Sequence, residues 1–338
     1  MNQCSISRRS VMVAMVSLPC APAFGQSSAA LTPAFDAARG ISQLNAMIVA
    51  RRGEILEAEA FRGPTLESPV NVKSVSKALI SALTGIAIQR GELSGVNELV
   101  APLLSRSVPR RADKRVRNIT VGHMLSMRSG LQEVSGAAYG EWAGTTHWIY
   151  EALSKPMVAD PGTEMLYSTA SYHILGAVLS AAAGQDLHTL ARERLGDPMG
   201  VHLPPWTQDP QGNYLGGNDM RVSPLGMIRF GETYRRGGDW DGKRIVTRDW
   251  IEQSWKVRTH SVETSHGYGY GWFLWQAGGH HVIYARGYGG QMIYIVPDLD
   301  LTVAITSNPG LPATLDGHLG VLNRLFAEKI VPAVEALA

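Results

Sequence analysis

In "NVKSVSKALISALTGIAIQRGEL", residues 71–93, Ser74 and Lys77 stand three positions apart at the start of an apolar run. On a helix, positions i and i+3 share a face, so the hydroxyl and the amine can meet. The pair has two readings: a serine nucleophile beside the amine that takes its proton, or a helix start followed by a solvated lysine. Spacing alone decides little, because 26 serines and seven lysines give roughly 0.5 chance matches to S-x-x-K in a chain of this length. The run after Lys77 weighs more. From Ala78 to Ile88 only Ser81, Thr84 and Gly85 interrupt the apolar residues, so the helix is expected to be buried on most sides. A buried lysine needs a partner or a purpose. Made neutral by desolvation or by nearby positive charge, Lys77 could accept the Ser74 proton.

The elements that must position this pair are legible in outline. "NAMIVARRGEILEAEAFRG" (Asn45–Gly63) reads as a β-hairpin around "RRGE". The helix carrying Ser74 and Lys77 comes next, with Gly91 as its stop. Roughly residues 95–260 alternate helical patterns with Gly-, Pro- and Trp-rich loops, and "ASYHILGAVLSAAAG" (Ala170–Gly184) is the clearest helix there. Strand signals return in "YGYGWFLWQ", "HHVIYARGYGG" and "QMIYIVPDLDLTVAITS". An amphipathic helix, "LDGHLGVLNRLFAEKIVPAVEAL", closes the chain. Strands at both ends with helices between predict an α+β fold: one antiparallel sheet with flanking helices and an inserted, mostly helical region. The expected division is residues 26–94 with 261–338 as the sheet domain, and 95–260 as the insertion.

Residues 1–25 read as an export signal. Twin arginines, Arg8 and Arg9, precede a short apolar run from Val11 to Leu18, and "APAFG" (Ala21–Gly25) offers small residues for cleavage. The run is too short to span a bilayer, so stable membrane insertion is not expected. The pattern implies a bacterial protein that is periplasmic or secreted. Both cysteines, Cys4 and Cys20, fall in this segment, so the mature chain would hold no thiol, disulfide or cysteine-based zinc site. Over the whole chain 31 Lys and Arg face 29 Asp and Glu; loss of Arg8 and Arg9 leaves 29 against 29. That balance gives no argument for nucleic acid or an anionic membrane surface. About 310 mature residues can bury a large core.

Four ordered segments carry a resemblance: "SVSKAL" at Ser74, "ITVGHMLSMRSGL" at Ile119–Leu131, "PGTEMLYSTASYHILGAVLSAAAG" at Pro161–Gly184 and "RGYGGQMIYIVP" at Arg286–Pro297. They resemble the β-lactamase-like serine hydrolases, which include class C β-lactamases, D-alanyl-D-alanine carboxypeptidases, esterases and 6-aminohexanoate-dimer hydrolases. The likeness runs from about residue 36 to 330. "RGYGGQMIYIVP" lies closer to the 6-aminohexanoate-dimer hydrolase branch than to the lactamases. The resemblance implies Ser74 as nucleophile, Lys77 as the amine beside it and Tyr167, opening "YST", as the tyrosine of the second motif. It further implies an oxyanion hole from the backbone N–H groups of Ser74 and Tyr288 and a substrate contact at Thr169; Gly287, Gly289 and Gly290 either let substrate lie against the strand or form an ordinary hairpin turn. Three departures stand out. The second motif ends in Thr169 where the family usually has asparagine. The third lacks its lysine or histidine, with Arg286 nearby, and the separate glutamate signature of class A enzymes is absent.

Other constellations carry less. Ten histidines are scattered without H-E-x-x-H, so no metal site and no cofactor are expected. His123 and the His280–His281 pair read as structural, and Trp142, Trp148, Trp206, Trp255 and Trp272 more as core than as pocket lining. The expected function is an exported serine hydrolase cleaving a small amide or ester through an acyl-enzyme. The alternatives are a catalytically silent module binding cell-wall fragments and a true β-lactamase or D-alanyl-D-alanine carboxypeptidase. Oligomeric state is left open.

Overall fold

The computed structural model describes residues 29–337, so the expected export segment, with Cys4 and Cys20, lies outside the described residues. The N-terminal hairpin forms as β1 (Leu44–Arg51) and β2 (Glu54–Ala60). Arg52 and Gly53 turn it at φ 53° and 89°, a two-residue geometry whose twist suits the strands it joins. The later strand signals give β3 (Thr259–His260), β4 (Gly267–Tyr268), β5 (Phe273–Ala277), β6 (His280–Gly287), β7 (Gln291–Val296) and β8 (Leu301–Ser307). These eight strands make one antiparallel sheet in the order β2-β1-β8-β7-β6-β5-β4-β3. The first strand therefore lies beside the last, with Met47 opposite Ile305. Every residue of β7 and β8 is buried, as expected of strands covered on both faces.

Five helices matter for the site: α1 (Thr32–Arg39), α2 (Ser76–Gln89), α3 (Thr169–Ala183), α4 (Pro224–Arg235) and α5 (His318–Leu325). Helix α4 lies on β1, β7 and β8. The segment after α5 adds Phe326, stacked on Tyr294 at 4.2 Å, while the Tyr294 hydroxyl donates to Asn323 Oδ1 at 2.9 Å. Helices α2 and α3 pack against each other, and the turn leading into α2 reaches β6. Helix α3 ends where its sequence says, at Gly184 in the left-handed region (φ 66°). Trp142, Trp148, Trp206 and Trp272 are core residues, and Trp255 packs at its edge.

One expectation about the first motif needs correction. The α-helix does not begin at Ser74; it begins at Ser76, and Ser74 sits in a 3-10 turn, Lys73–Val75. Lys73 enters that turn at φ 50°, a left-handed conformation costing a non-glycine residue roughly 1–2 kcal/mol. Local bonds hold it there. Its N–H donates to Asn71 Oδ1 (2.9 Å), its carbonyl accepts from Ser76 Oγ (2.6 Å) and its ammonium meets Asp219 (3.2 Å).

Candidate active site

Ser74, Lys77 and Tyr167 come together at the junction of α2, α3 and the end of β6. Lys77 is 1% exposed. Its Nζ lies 2.9 Å from Ser74 Oγ, 2.6 Å from the Gly217 carbonyl oxygen and 3.4 Å from Thr169 Oγ1. All three neighbours are neutral oxygens, so they solvate the amine without cancelling its charge. Burial therefore dominates and lowers its pKa to about 7, against an opposing pull from Asp219. The Tyr167 ring faces the amine, with Nζ 5.0 Å from its centroid. Phe273 stacks on that ring at 6.3 Å, and Tyr268 meets it edge-on at 6.4 Å. Burial raises the Tyr167 phenol above its ordinary value, partly offset by its interaction with Ser74 and by the charge of Arg286.

These groups open onto a cavity of about 800 Å3, within the size range of small-molecule sites. Ser74, Tyr167 and Thr169 line it, as do Lys73, Asn218, Glu263 and Arg286, together with Tyr288, Pro309, Pro312, Ala313 and Leu319. The lining thus combines polar groups with hydrocarbon. Arg286 does face the cavity, but Glu263 neutralises it in a direct ion pair. Lys73 is likewise paired, with Asp219. Among the described residues no group of three or more His, Cys, Asp or Glu is placed to hold a metal ion, and no helix is long and apolar enough to cross a membrane.

The third motif divides. Gly287 and Tyr288 line the cavity, whereas Gly289 and Gly290 are not among its lining residues. Gly287 is glycine because the nucleophile's turn presses on it: a Cβ there would lie 2.3 Å from the Val72 carbonyl oxygen and 3.1 Å from the Ser74 nitrogen. Gly289 and Gly290 turn the β6–β7 hairpin at φ 81° and 94°, with Asn308 and His318 filling the space beside them. Their missing side chains make room for protein, not for substrate. Neither the Ser74 nor the Tyr288 N–H has a backbone acceptor among the described residues.

Thr169, at the start of α3, faces Lys77 as well as the cavity, so the hydroxyl that stands in for the family's usual amide touches the amine. His123 caps its own short helix through Thr120, and His280 bridges Asp298 and Glu335 at the surface. Sequence reasoning missed Gly217 and Asp219. Gly217 acts through a carbonyl that every residue has, and Asp219 through charge and a side chain that holds Lys73 and Asn71 (Asn71 Nδ2 to Oδ1, 2.8 Å). Only the "GGND" cluster, Gly216–Asp219, hinted at a special backbone there.

Residues 32–327 match the family described as Beta-lactamase. No curated protein matches. Among solved structures, a protein assigned as a 6-aminohexanoate-dimer hydrolase from Bacillus anthracis superposes with a TM-score of 0.73 at 15% identity, over 88% of this chain and 80% of that one. EstCE1, a hydrolase with promiscuous acyltransferase activity, gives 0.70 at 20% identity over 90% and 96%. A penicillin-binding protein homologue from Pyrococcus abyssi, octameric in its structure, gives 0.68 at 17% identity over 87% and 74%. At these identities the likeness establishes the fold.

Proposed function

Because this chain belongs to the Beta-lactamase family, we propose that it is a serine hydrolase that cleaves an amide or ester bond through an acyl-enzyme on Ser74. The observation that carries the reading is Lys77, buried among neutral oxygens 2.9 Å from the Ser74 hydroxyl with a pKa near 7. A serine becomes a nucleophile when a neighbour accepts its proton. Neutral Lys77 takes the proton as Ser74 Oγ adds to the substrate carbonyl carbon. The carbonyl oxygen becomes an oxyanion, held by the N–H groups of Ser74 and Tyr288. Tyr167, protonated at neutral pH, gives its proton to the leaving oxygen or nitrogen and regains one from Lys77. Water then attacks the acyl carbon, with the same groups moving the protons in reverse, and Ser74 is released.

The cavity walls favour an uncharged substrate. Both cations that line it are already paired, Arg286 with Glu263 and Lys73 with Asp219, so an anionic ligand must break a pair to gain one. Pro309, Pro312, Ala313 and Leu319 in the same lining offer hydrocarbon contact. Short-chain esters or small linear amides therefore fit better than β-lactams or cell-wall peptides, which carry a carboxylate. The test compares kcat/KM for p-nitrophenyl butyrate, its uncharged amide analogue p-nitrobutyranilide and a chromogenic cephalosporin, with Ser74→Ala as the blank. A cephalosporin leading by tenfold or more would overturn the substrate class; turnover retained in Ser74→Ala would overturn the mechanism.

A further inference from the structure

The hairpin that carries Tyr288 leaves the sheet beside the nucleophile's turn, where Gly287 packs close to the Ser74 nitrogen, and two glutamine side chains hold it there. The register of β7 against β8, Met292 opposite Ile305, would place position 290 opposite Ser307. The chain has already turned at that point, with Gly290 at φ 94°, so the backbone cannot supply this rung. Gln291 supplies it with its side chain: Oε1 accepts from the Ser307 N–H at 3.1 Å, and Nε2 donates to the Ser307 carbonyl at 2.8 Å. The same Nε2 lies 3.4 Å from the Tyr288 carbonyl oxygen. Gln291 is 1% exposed, so its carboxamide is fixed from all sides. From the other side of the hairpin, Gln43 Nε2 donates to the carbonyls of Gly289 (3.2 Å), Leu311 (3.4 Å) and Pro312 (3.1 Å), while its own backbone carbonyl accepts from the Asn308 N–H (2.9 Å).

We propose that Gln291 and Gln43 are positioning residues for the oxyanion hole: they hold the Tyr288 and Gly289 carbonyls, fixing the two peptides that follow the Gly287–Tyr288 unit, so that the N–H of that unit stays aimed at the reacting carbonyl. The turn's own bond, Gly290 N–H to the Gly287 carbonyl at 3.1 Å, leaves the two glycines at positive φ to rock unless their peptides are held, and a donor that must be re-aimed at the moment of reaction stabilises the transition state less than one held in place. Binding of the ground state asks little of this donor. Loss of either clamp should therefore fall on kcat and spare KM. The proposal rests on the serine-hydrolase reading of Ser74.

The test measures p-nitrophenyl butyrate hydrolysis and inhibition by butylboronic acid, whose tetrahedral adduct with Ser74 sets an oxygen in the same hole. Removing an oxyanion donor outright costs about 100- to 1000-fold; a loosened one loses less. Gln291→Leu is expected to lower kcat about ten- to a hundredfold and Gln43→Leu about three- to tenfold, with KM within about twofold and the boronate Ki weakened by the same factor as kcat. Gln291→Leu strands both Ser307 groups and can fail to fold; Gln291→Glu, which keeps the acceptor for the Ser307 N–H, and the half-exposed Gln43→Leu then carry the test. Parental kcat in folded variants, or a loss of kcat with boronate Ki unchanged, overturns the positioning role while leaving the hydrolase intact. A parent protein that neither turns over the ester nor binds the boronate overturns the hydrolase reading and this one with it.

Discussion

The Lys77 amine should give the enzyme an acid limb in kcat/KM near pH 7, and the size of the effect can be worked out from its burial. With a pKa lowered from 10.5 to about 7, the amine is roughly nine-tenths neutral at pH 8, against about 0.3% for an ordinary lysine. Burial thus raises the population of the proton acceptor roughly 300-fold. Tyr167 cannot produce the same limb, because burial raises its phenol above the ordinary value, and among the described residues no histidine lines the cavity. Asp219 pulls the Lys77 pKa upward, so Asp219→Asn should move the limb to lower pH. The same shift has a signature in stability. Below pH 7 the native and unfolded chains both hold the proton, and the charged buried amine is a full cost to the native state. Between about pH 7 and 10.5 the unfolded chain holds it and the native chain does not, so stability rises with pH through that window, by about 4–5 kcal/mol over its span. Lys77→Met should lose both the limb and that rise. The assays are pH profiles of p-nitrophenyl butyrate hydrolysis and urea unfolding from pH 6 to 10. A flat kcat/KM between pH 6 and 9, or a limb moving to higher pH in Asp219→Asn, would refute the reasoning.

Three further outcomes rest on the same geometry and on the sequence of the N-terminal segment. Glu263→Gln should release Arg286 and raise kcat/KM for an anionic acyl ester about tenfold relative to the butyrate; an unchanged ratio means the ion pair does not govern charge preference. Gly287→Ala, whose Cβ would meet the Val72 carbonyl oxygen at 2.3 Å, should displace the nucleophile's turn and cut kcat about a hundredfold, so parental kcat would contradict the packing account. Arg8→Lys with Arg9→Lys should block export, tested by fractionating cells for the mature chain; unchanged export counts against the twin-arginine reading.

Much of the fold was legible because its signals are local. The hairpin at Arg52–Gly53, the left-handed stop at Gly184 and the β-branched runs of β7 and β8 each arise from residues within a few positions. The burial of Lys77 was legible too, since the apolar run around it left no solvent face. The features that escaped notice depend on partners distant in the chain. The expected helix start at Ser74 failed because Lys73 is held at positive φ by Asn71 and by Asp219, 146 residues away. Arg286 could be placed near the cavity by sequence, but its neutralisation by Glu263 could not. The three glycines of "GYGG" looked alike, yet Gly287 answers to the nucleophile's turn and Gly289 and Gly290 to the hairpin. Gln43 and Gln291 gave no signal, because a glutamine that replaces a missing backbone rung is indistinguishable in sequence from one at the surface.

The proposed hydrolysis requires Ser74 to become covalently acylated. The most direct measurement treats the purified protein with a fluorophosphonate probe at pH 8 and maps the adduct by peptide mass spectrometry. One adduct per chain is expected, on Ser74, absent from Ser74→Ala and formed far more slowly in Lys77→Met. An adduct on another serine, or none on a folded chain, would contradict it.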